Sequence, residues 1–526
     1  MARKTTFILE KVCLSCVVLG LAGATAHAQV EEYHFNPDTI YGGRSVAVSV
    51  HPTNANVAIE AAEGGGLYKT LDGGLTWDRI ESFPMFRMRD VMYDPEDPSL
   101  VFAATLFDGR VNSLSGIWRS ADGGGTWARA NVAFDCSDRV HAFNIGIANG
   151  VDVHHKVFVA NNCGVAYSND SGVTWDNLDP AGGDGRSFSD VAVVRRGPDQ
   201  VRVYATGAGG IYRADITGTE TPVWTVRQAG YPANKLNKRS GSLAVSPFDS
   251  NVVFFTTKHC PSGGCVGGDD LHRIFESGDG GVTWTELPGP GAGNRPDWIE
   301  TRLVPNTLEF DLYWGNGVHI YRQHCIDDNN HSTLDCPVAP DPDCSNAVDD
   351  DGDGFINEGC PAQGPDLDGK GGPDPEKAGA VPGQCKNNVD DDGDGFVNDG
   401  CAVMQFVDNG CHSDPSGIAF ETGSHCPKYI SNDGGIGRTT NCGQSWADSN
   451  SGRYALQIYD AFGTVRGSGP SDTDLYFGTQ DNHWWHTLNN GGVWQAPLCC
   501  EGFGGQVDLR VPSGGLSDIR MSWANG

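Results

Sequence analysis

One eight-residue phrase constrains this chain more than any other feature: Ser/Thr-x-Asp-x-Gly-x-Thr-Trp. It occurs as TLDGGLTW (Thr70 to Trp77), SADGGGTW (Ser120 to Trp127), SNDSGVTW (Ser168 to Trp175) and SGDGGVTW (Ser277 to Trp284). Each position suits a tight turn between two strands. The carboxylates of Asp72, Asp122, Asp170 and Asp279 are expected to accept backbone N–H groups two and three residues on. The glycine takes positive φ without Cβ strain. The closing Trp77, Trp127, Trp175 and Trp284 each carry a large apolar face to bury. The spacing is as informative as the wording. Trp77 to Trp127 is 50 residues, Trp127 to Trp175 is 48, and 49 more lead to Trp224, where the phrase is lost but the indole kept. Degenerate copies follow: TTNCGQSW, with Asn441 and Trp446, and TLNNGGVW, with Asn489 and Trp494. A β-type repeat near 50 residues predicts one four-stranded blade per repeat, and so an all-β, multi-bladed β-propeller of about seven to ten blades. A residue repeated in every unit serves the repeat, so the turn aspartates are read as structural.

These residues are the Asp-box, or BNR repeat, and the chain resembles the sialidase-like and sortilin-like β-propellers over roughly residues 40–322 and 412–500. ISNDGGIGRTT and GTQDN, further on, resemble large exported bacterial propellers related to sortilin. The resemblance implies that the boxes lie at the periphery and that any chemistry sits where the inner strands meet a central channel. Sialidases gather three arginines on a substrate carboxylate. Here Arg44, Arg89, Arg186 and Arg239 recur near the starts of inner strands. The Phe/Tyr-Arg-Ile-Pro tetrapeptide of that family is missing, and the arginines are expected to pair with inner acids such as Asp90 and Asp190. A xyloglucanase-like glycosidase would need two facing carboxylates. Asp90, Asp190, Glu300 and Asp460 are the inner-strand candidates. Trp484-Trp485 could stack on sugars, but packing between blades is the preferred reading.

The first 28 residues read as a signal peptide, with Arg3, Lys4 and Lys11 before and around an apolar run and Ala26-His27-Ala28 as the cleavage site. That apolar run is too short for a membrane span, and no later stretch reads as long enough. A formal charge of −31 disfavours a nucleic-acid partner. Export permits disulfides. Of 17 cysteines, Cys13 and Cys16 fall in the leader, which leaves an odd number. Local bridges Cys260–Cys265, Cys325–Cys336, Cys344–Cys360, Cys385–Cys401 and Cys411–Cys426 are plausible, with the pairing left open. The expected organisation is a leader (1–28), blades one to six (29–322), an insertion (323–411) and further blades (412–526). Blade seven is expected from His412, and an eighth from Arg453. The chain stops at Gly526 within what reads as another inner strand. Either the sequence is a fragment, or Val30 to Ile40 closes the ring from the other end.

The insertion is rich in Asp, Gly, Pro and Cys and cannot bury a core of its own. It duplicates CSNAVDDDGDGFINEGC as CKNNVDDDGDGFVNDGC. Asp349, Asp351, Asp353 and Asn357, with the carbonyl of Phe355, present alternate oxygens on a tight turn. Asp390, Asp392, Asp394, Asn398 and the carbonyl of Phe396 repeat the set. Hard oxygen ligands in that pattern point to structural Ca²⁺ rather than Zn²⁺. The segment resembles thrombospondin type 3 repeats. The functional expectation is an exported propeller that binds protein or polysaccharide, leaning away from catalysis. A sialidase-like or xyloglucanase-like glycoside hydrolase is the alternative, and a surface or adhesion component of a longer protein the third.

Overall fold

In the computed structural model the described residues run from 42 to 524, apart from several connections, of which the longest are 228–240, 258–272, 288–297 and 327–403. Among the described residues all the regular structure is strand, and the fold is a β-propeller. The chain divides into two compact units. One spans Thr39–Gln457 and contains seven four-stranded meanders, at residues 45–79, 88–129, 142–178, 188–226, 241–286, 298–406 and 417–448. We call these blades one to seven, and their strands inner, second, third and outer. The other unit includes the sheet built on Ile458–Val465 and the hairpin Glu501–Asp508 with Asp518–Ala524.

The second strands read as short apolar runs because both their faces are covered by neighbouring blades. Ala58–Ala62, Val101–Thr105 and Val157–Asn161 are buried at every position. Seams between blades fill with interleaved side chains. One cluster joins Phe102 and Ala104 of blade two to Val157, Val159 and Trp175 of blade three. Another joins Phe158 and Tyr167 of blade three to Val191, Val203 and Tyr212 of blade four.

Seven blades close the ring. The seam of blade seven with blade one is tied by Gly42 N–H to Gly434 O (2.7 Å), Ser45 Oγ to Ser431 Oγ (3.2 Å) and Trp77 Nε1 to Ser449 Oγ (3.1 Å). Arg453 donates through Nε to Glu60 Oε2 at 2.7 Å and through a second nitrogen to Glu60 Oε1, with both side chains fully buried. Arg453 therefore does not begin an eighth blade of the same ring. It is the clasp of the seventh, and the next sheet belongs to the other unit. The reason is geometric: Gly42 and Gly43 lie so close to Arg453 and Ala455 that a Cβ on either would collide.

Blade six takes in both ends of the expected insertion. Its third strand is Ile320–Ile326 and its outer strand is Met404–Phe406. The acidic segment thus leaves the blade where other blades place their turn. The calcium-loop residues lie outside the described residues, as do Asn489, Trp494, Arg186 and Arg239.

Cys426 bonds to Cys442, not to Cys411, and Cys136 bonds to Cys163. The first bridge joins the inner-to-second-strand connection of blade seven to its degenerate turn. Antiparallel strands bring those two segments to the same face, which nearness in sequence did not reveal. His425, Cys426 and Cys442 are close together, but the disulfide removes the two thiolates a metal would need.

Candidate functional site

The four full turns share one hydrogen-bond set. In blade two, Ser120 Oγ donates to Asp122 Oδ1 (2.7 Å) and accepts Gly124 N–H (2.8 Å). Asp122 also accepts Thr126 N–H (2.8 Å) and Thr126 Oγ (2.7 Å). Asp72, Asp170 and Asp279 repeat this with their own hydroxyl partners. The carboxylate thus reaches three residues on, as expected, and four rather than two. These bonds hold Asp122 down at a pKa of about 2, the Thr126 N–H contributing most. Asn441 keeps the geometry in blade seven, accepting Ser445 N–H at 3.0 Å. Every oxygen of these carboxylates is thereby committed to the turn.

Each indole packs in a seam. Trp77 meets Tyr429 of blade seven edge-on, Trp175 meets Phe102 of blade two, and Trp127 meets Phe83. Trp284 and Trp446 are buried in the clusters joining blades four to five and six to seven. Trp484 and Trp485 are also buried, with Trp485 stacked on Phe477, so they pack rather than offer a sugar platform.

The inner strands bring three predicted acids within electrostatic reach of one another. Asp90 accepts its neighbour Val91 N–H and, across the seam, Ile145 N–H of blade three, both at 2.8 Å. Asp190 accepts Val191 N–H and Leu243 N–H of blade five, again at 2.8 Å. Both stand beside register shifts in their inner strands. Asn144 does the same job between them, accepting Val191 N–H at 3.2 Å. The acids are therefore staples, each tying one inner strand to the next. Glu300 is half-buried and accepts no hydrogen bond from the described residues. Burial drives all three upward: Asp90 to about 6, Asp190 and Glu300 each to about 7. Arg302 pulls Glu300 back, while Asp90 and Asp190 push it further up. Both oxygens of Asp90 and of Asp190 are thus occupied by backbone N–H groups. Asp460 lies on Ile458–Val465, in the other unit.

A second group occupies the channel mouth. The start of each inner strand and the turn between second and third strands share one face, since Ser45 pairs with Ala62. Arg44 Nε lies 3.2 Å from Glu63 Oε2 and 3.0 Å from Asp433 Oδ1. Its partners are thus turn acids of blades one and seven, not Asp90 and Asp190. Arg89 is exposed on its inner strand and lies within electrostatic reach of Glu63, Arg44 and, as expected, Asp90. On the face carrying the turn after Glu63, Phe86 accepts Gly66 N–H through its carbonyl, and its ring has the guanidiniums of Arg79 (4.8 Å) and Arg110 (4.6 Å) over it. Sequence reasoning missed Glu63 and Asp433. Both precede glycine runs, AEGGG and NDGG, and that was the available signal.

The fold and its sites define an all-β propeller with a polar, partly aromatic channel mouth. No family model matches the chain. Among curated proteins it is similar to Xyloglucanase Xgh74A of Acetivibrio thermocellus, 23% identical over 267 residues, a match taking in 48% of this chain and 27% of that protein. Among solved structures it is similar to an ancestral GH74 enzyme, with a TM-score of 0.56 and 12% identity over 93% of this chain and 60% of that one. A GH74 enzyme of Niastella koreensis matches at 15% identity and a TM-score of 0.36, covering 91% and 81%. This chain spans less than two thirds of the curated relative and of the ancestral enzyme.

Proposed function

We propose that this protein is a polysaccharide-directed β-propeller that binds β-glucan-type chains across the face of the ring carrying Arg44, Glu63, Arg89 and Asp433. One observation carries the reading: half of the chain is similar in sequence to a xyloglucanase. The mouth residues supply matching chemistry, because paired guanidiniums and carboxylates beside an aromatic ring suit hydroxyl-rich ligands. Electrophoresis through a gel containing xyloglucan tests it. Wild-type protein should be retarded, and Arg44→Ala/Glu63→Gln should run as in a blank gel. Unretarded wild-type protein would remove the reading.

Glycoside hydrolysis is the second reading, favoured by the name of that same relative. Reducing ends released from xyloglucan by the wild-type chain would establish it, and release abolished by Glu63→Gln would place a working carboxylate at the mouth. We also propose that the two Asp-rich loops at 349–357 and 390–398 bind Ca²⁺ as a structural ion and that the chain is exported. Calorimetric titration of the full chain, with Asp351→Asn/Asp392→Asn as comparison, tests the calcium claim. Absence of a binding heat in wild-type protein would end it.

A further inference from the structure

Blade four departs from the others. Where blades one, two, three and five place the Asp-containing turn, its second and third strands continue for three more ladder pairs: Arg202 with Asp215, Val201 with Ile216 and Gln200 with Thr217. Both strands reach eight residues, against five in blades one to three. Cross-strand partners share a face, as do residues two apart. Arg202, Tyr204, Arg213 and Asp215 therefore look the same way, toward blade five. Arg202 donates to Asn251 Oδ1 at 2.5 Å and Ser250 O at 3.2 Å, and Tyr204 to Ser250 O at 2.7 Å.

Guanidiniums crowd one carboxylate there, while the nearby blade-five acids Asp249 and Asp279 are bound by Asn251 and by their own turn. Asp215 takes Arg202 at 2.6 and 3.1 Å, Arg196 at 3.5 Å and Arg213 at 3.6 Å, so three guanidiniums share one carboxylate. Arg227, continuing the outer strand opposite Ile211, lies on the same side. Its Nε is buried without a hydrogen-bond partner among the described residues. This gathering of four arginines stands in a chain of formal charge −31. Holding neighbouring blades together does not require it. Elsewhere one cation does that work: Lys69 Nζ donates to Gly123 O (2.7 Å), and Arg119 Nε to Ser171 O (2.7 Å). Arg213 plays that part here, donating to Gly280 O at 3.0 Å. Arg202 is saturated by Asp215 and Asn251. Arg196 and Arg227 are surplus to both tasks.

We propose that the seam of blades four and five is an oxyanion site, binding the carboxylate or sulfate groups of an acidic polysaccharide. Planar guanidinium forks match the paired oxygens of such groups. Arg196 and the half-exposed Asp215 open the cluster to solvent. A neutral glucan has no charge to satisfy these arginines, so this site and the channel mouth stand or fall separately.

The full chain would be titrated at low ionic strength with oligogalacturonate and, separately, with sodium sulfate, using wild type, Arg196→Gln/Arg227→Gln and Arg119→Gln. Oligogalacturonate should bind wild type and Arg119→Gln alike. It should bind the double variant at least about tenfold more weakly, as expected for the loss of charge-assisted hydrogen bonds, with an unchanged melting temperature. Sulfate binding alone, lost in the double variant, would retain the oxyanion chemistry and overturn the polysaccharide as its carrier. No saturation by either probe at millimolar concentration, or equal binding by the double variant, would overturn the site.

Discussion

At Asn441, blade seven swaps the turn carboxylate for an amide and keeps the bonds to Ser445. The turn can thus be built on an amide oxygen as well as on a carboxylate. Asp122→Asn keeps the oxygen and loses the charge, so at pH 7 it should cost part of what Asp122→Ala costs, about 1 kcal/mol for the latter, which strands Thr126 N–H and two hydroxyls in a solvent-exposed turn. Denaturant unfolding distinguishes them, and equal losses would show that the charge alone matters. The turn acids and the channel acids carry opposite pH signatures. Asp122, held at about 2, stabilises the fold above the ordinary aspartate pKa, and that contribution fades as pH falls from about 4 toward 2. Glu300, pushed to about 7, binds its proton more tightly folded than unfolded. Its effect is harmless below about 4.5, and stability is lost as pH rises from there to 7. Glu300→Gln should therefore match wild type at pH 4.5 and exceed it at pH 8, by on the order of 1–2 kcal/mol. A melting-temperature profile without that divergence would refute the assignment. The acids themselves were legible as inner-strand residues. Their work as staples was not, because Asp90 and Asp190 act on backbone groups more than 50 positions away.

At the scale of strands and turns, each blade borrows from its neighbour. The residue just before the turn hydroxyl is Lys69 in blade one and Arg119 in blade two, and each reaches a turn carbonyl of the following blade. That pattern stood in the sequence beside the Asp phrase and went unread, since a cation on a strand ordinarily signifies only a wet face. The turn glycine is bound by the same adjacency. At Gly172, φ is +75° and a Cβ would lie 2.4 Å from Phe102 Cε1 of blade two. Gly172→Ala should cost about 2 kcal/mol or more, visible as a lowered denaturation midpoint. A shift under a quarter of that would mean that Phe102 yields freely. Blade four was legible only as a gap in the phrase. The three extra ladder pairs that fill the gap depend on register, which alternation alone does not set.

For the whole molecule, the beat of tryptophans announced a propeller but not where the ring ends. The closing partners are about 390 residues apart, joined by Glu60 and Arg453 in a buried pair that no local pattern signals. Burial pushes Glu60 upward and Arg453 opposes it. Arg453→Met should then leave an uncompensated buried carboxyl and cost about 3–5 kcal/mol, while Glu60→Met/Arg453→Met should recover most of that. A double variant as unstable as the single one would deny the pairing. Closure at seven blades is tested most directly where Ser45 Oγ lies 3.2 Å from Ser431 Oγ across the seam. In Ser45→Cys/Ser431→Cys, mild oxidation of the folded protein should yield one peptide pair joined through these two positions, found by mass mapping without reductant. Two thiols that both remain open to alkylation in the folded chain would contradict the closed seven-bladed ring.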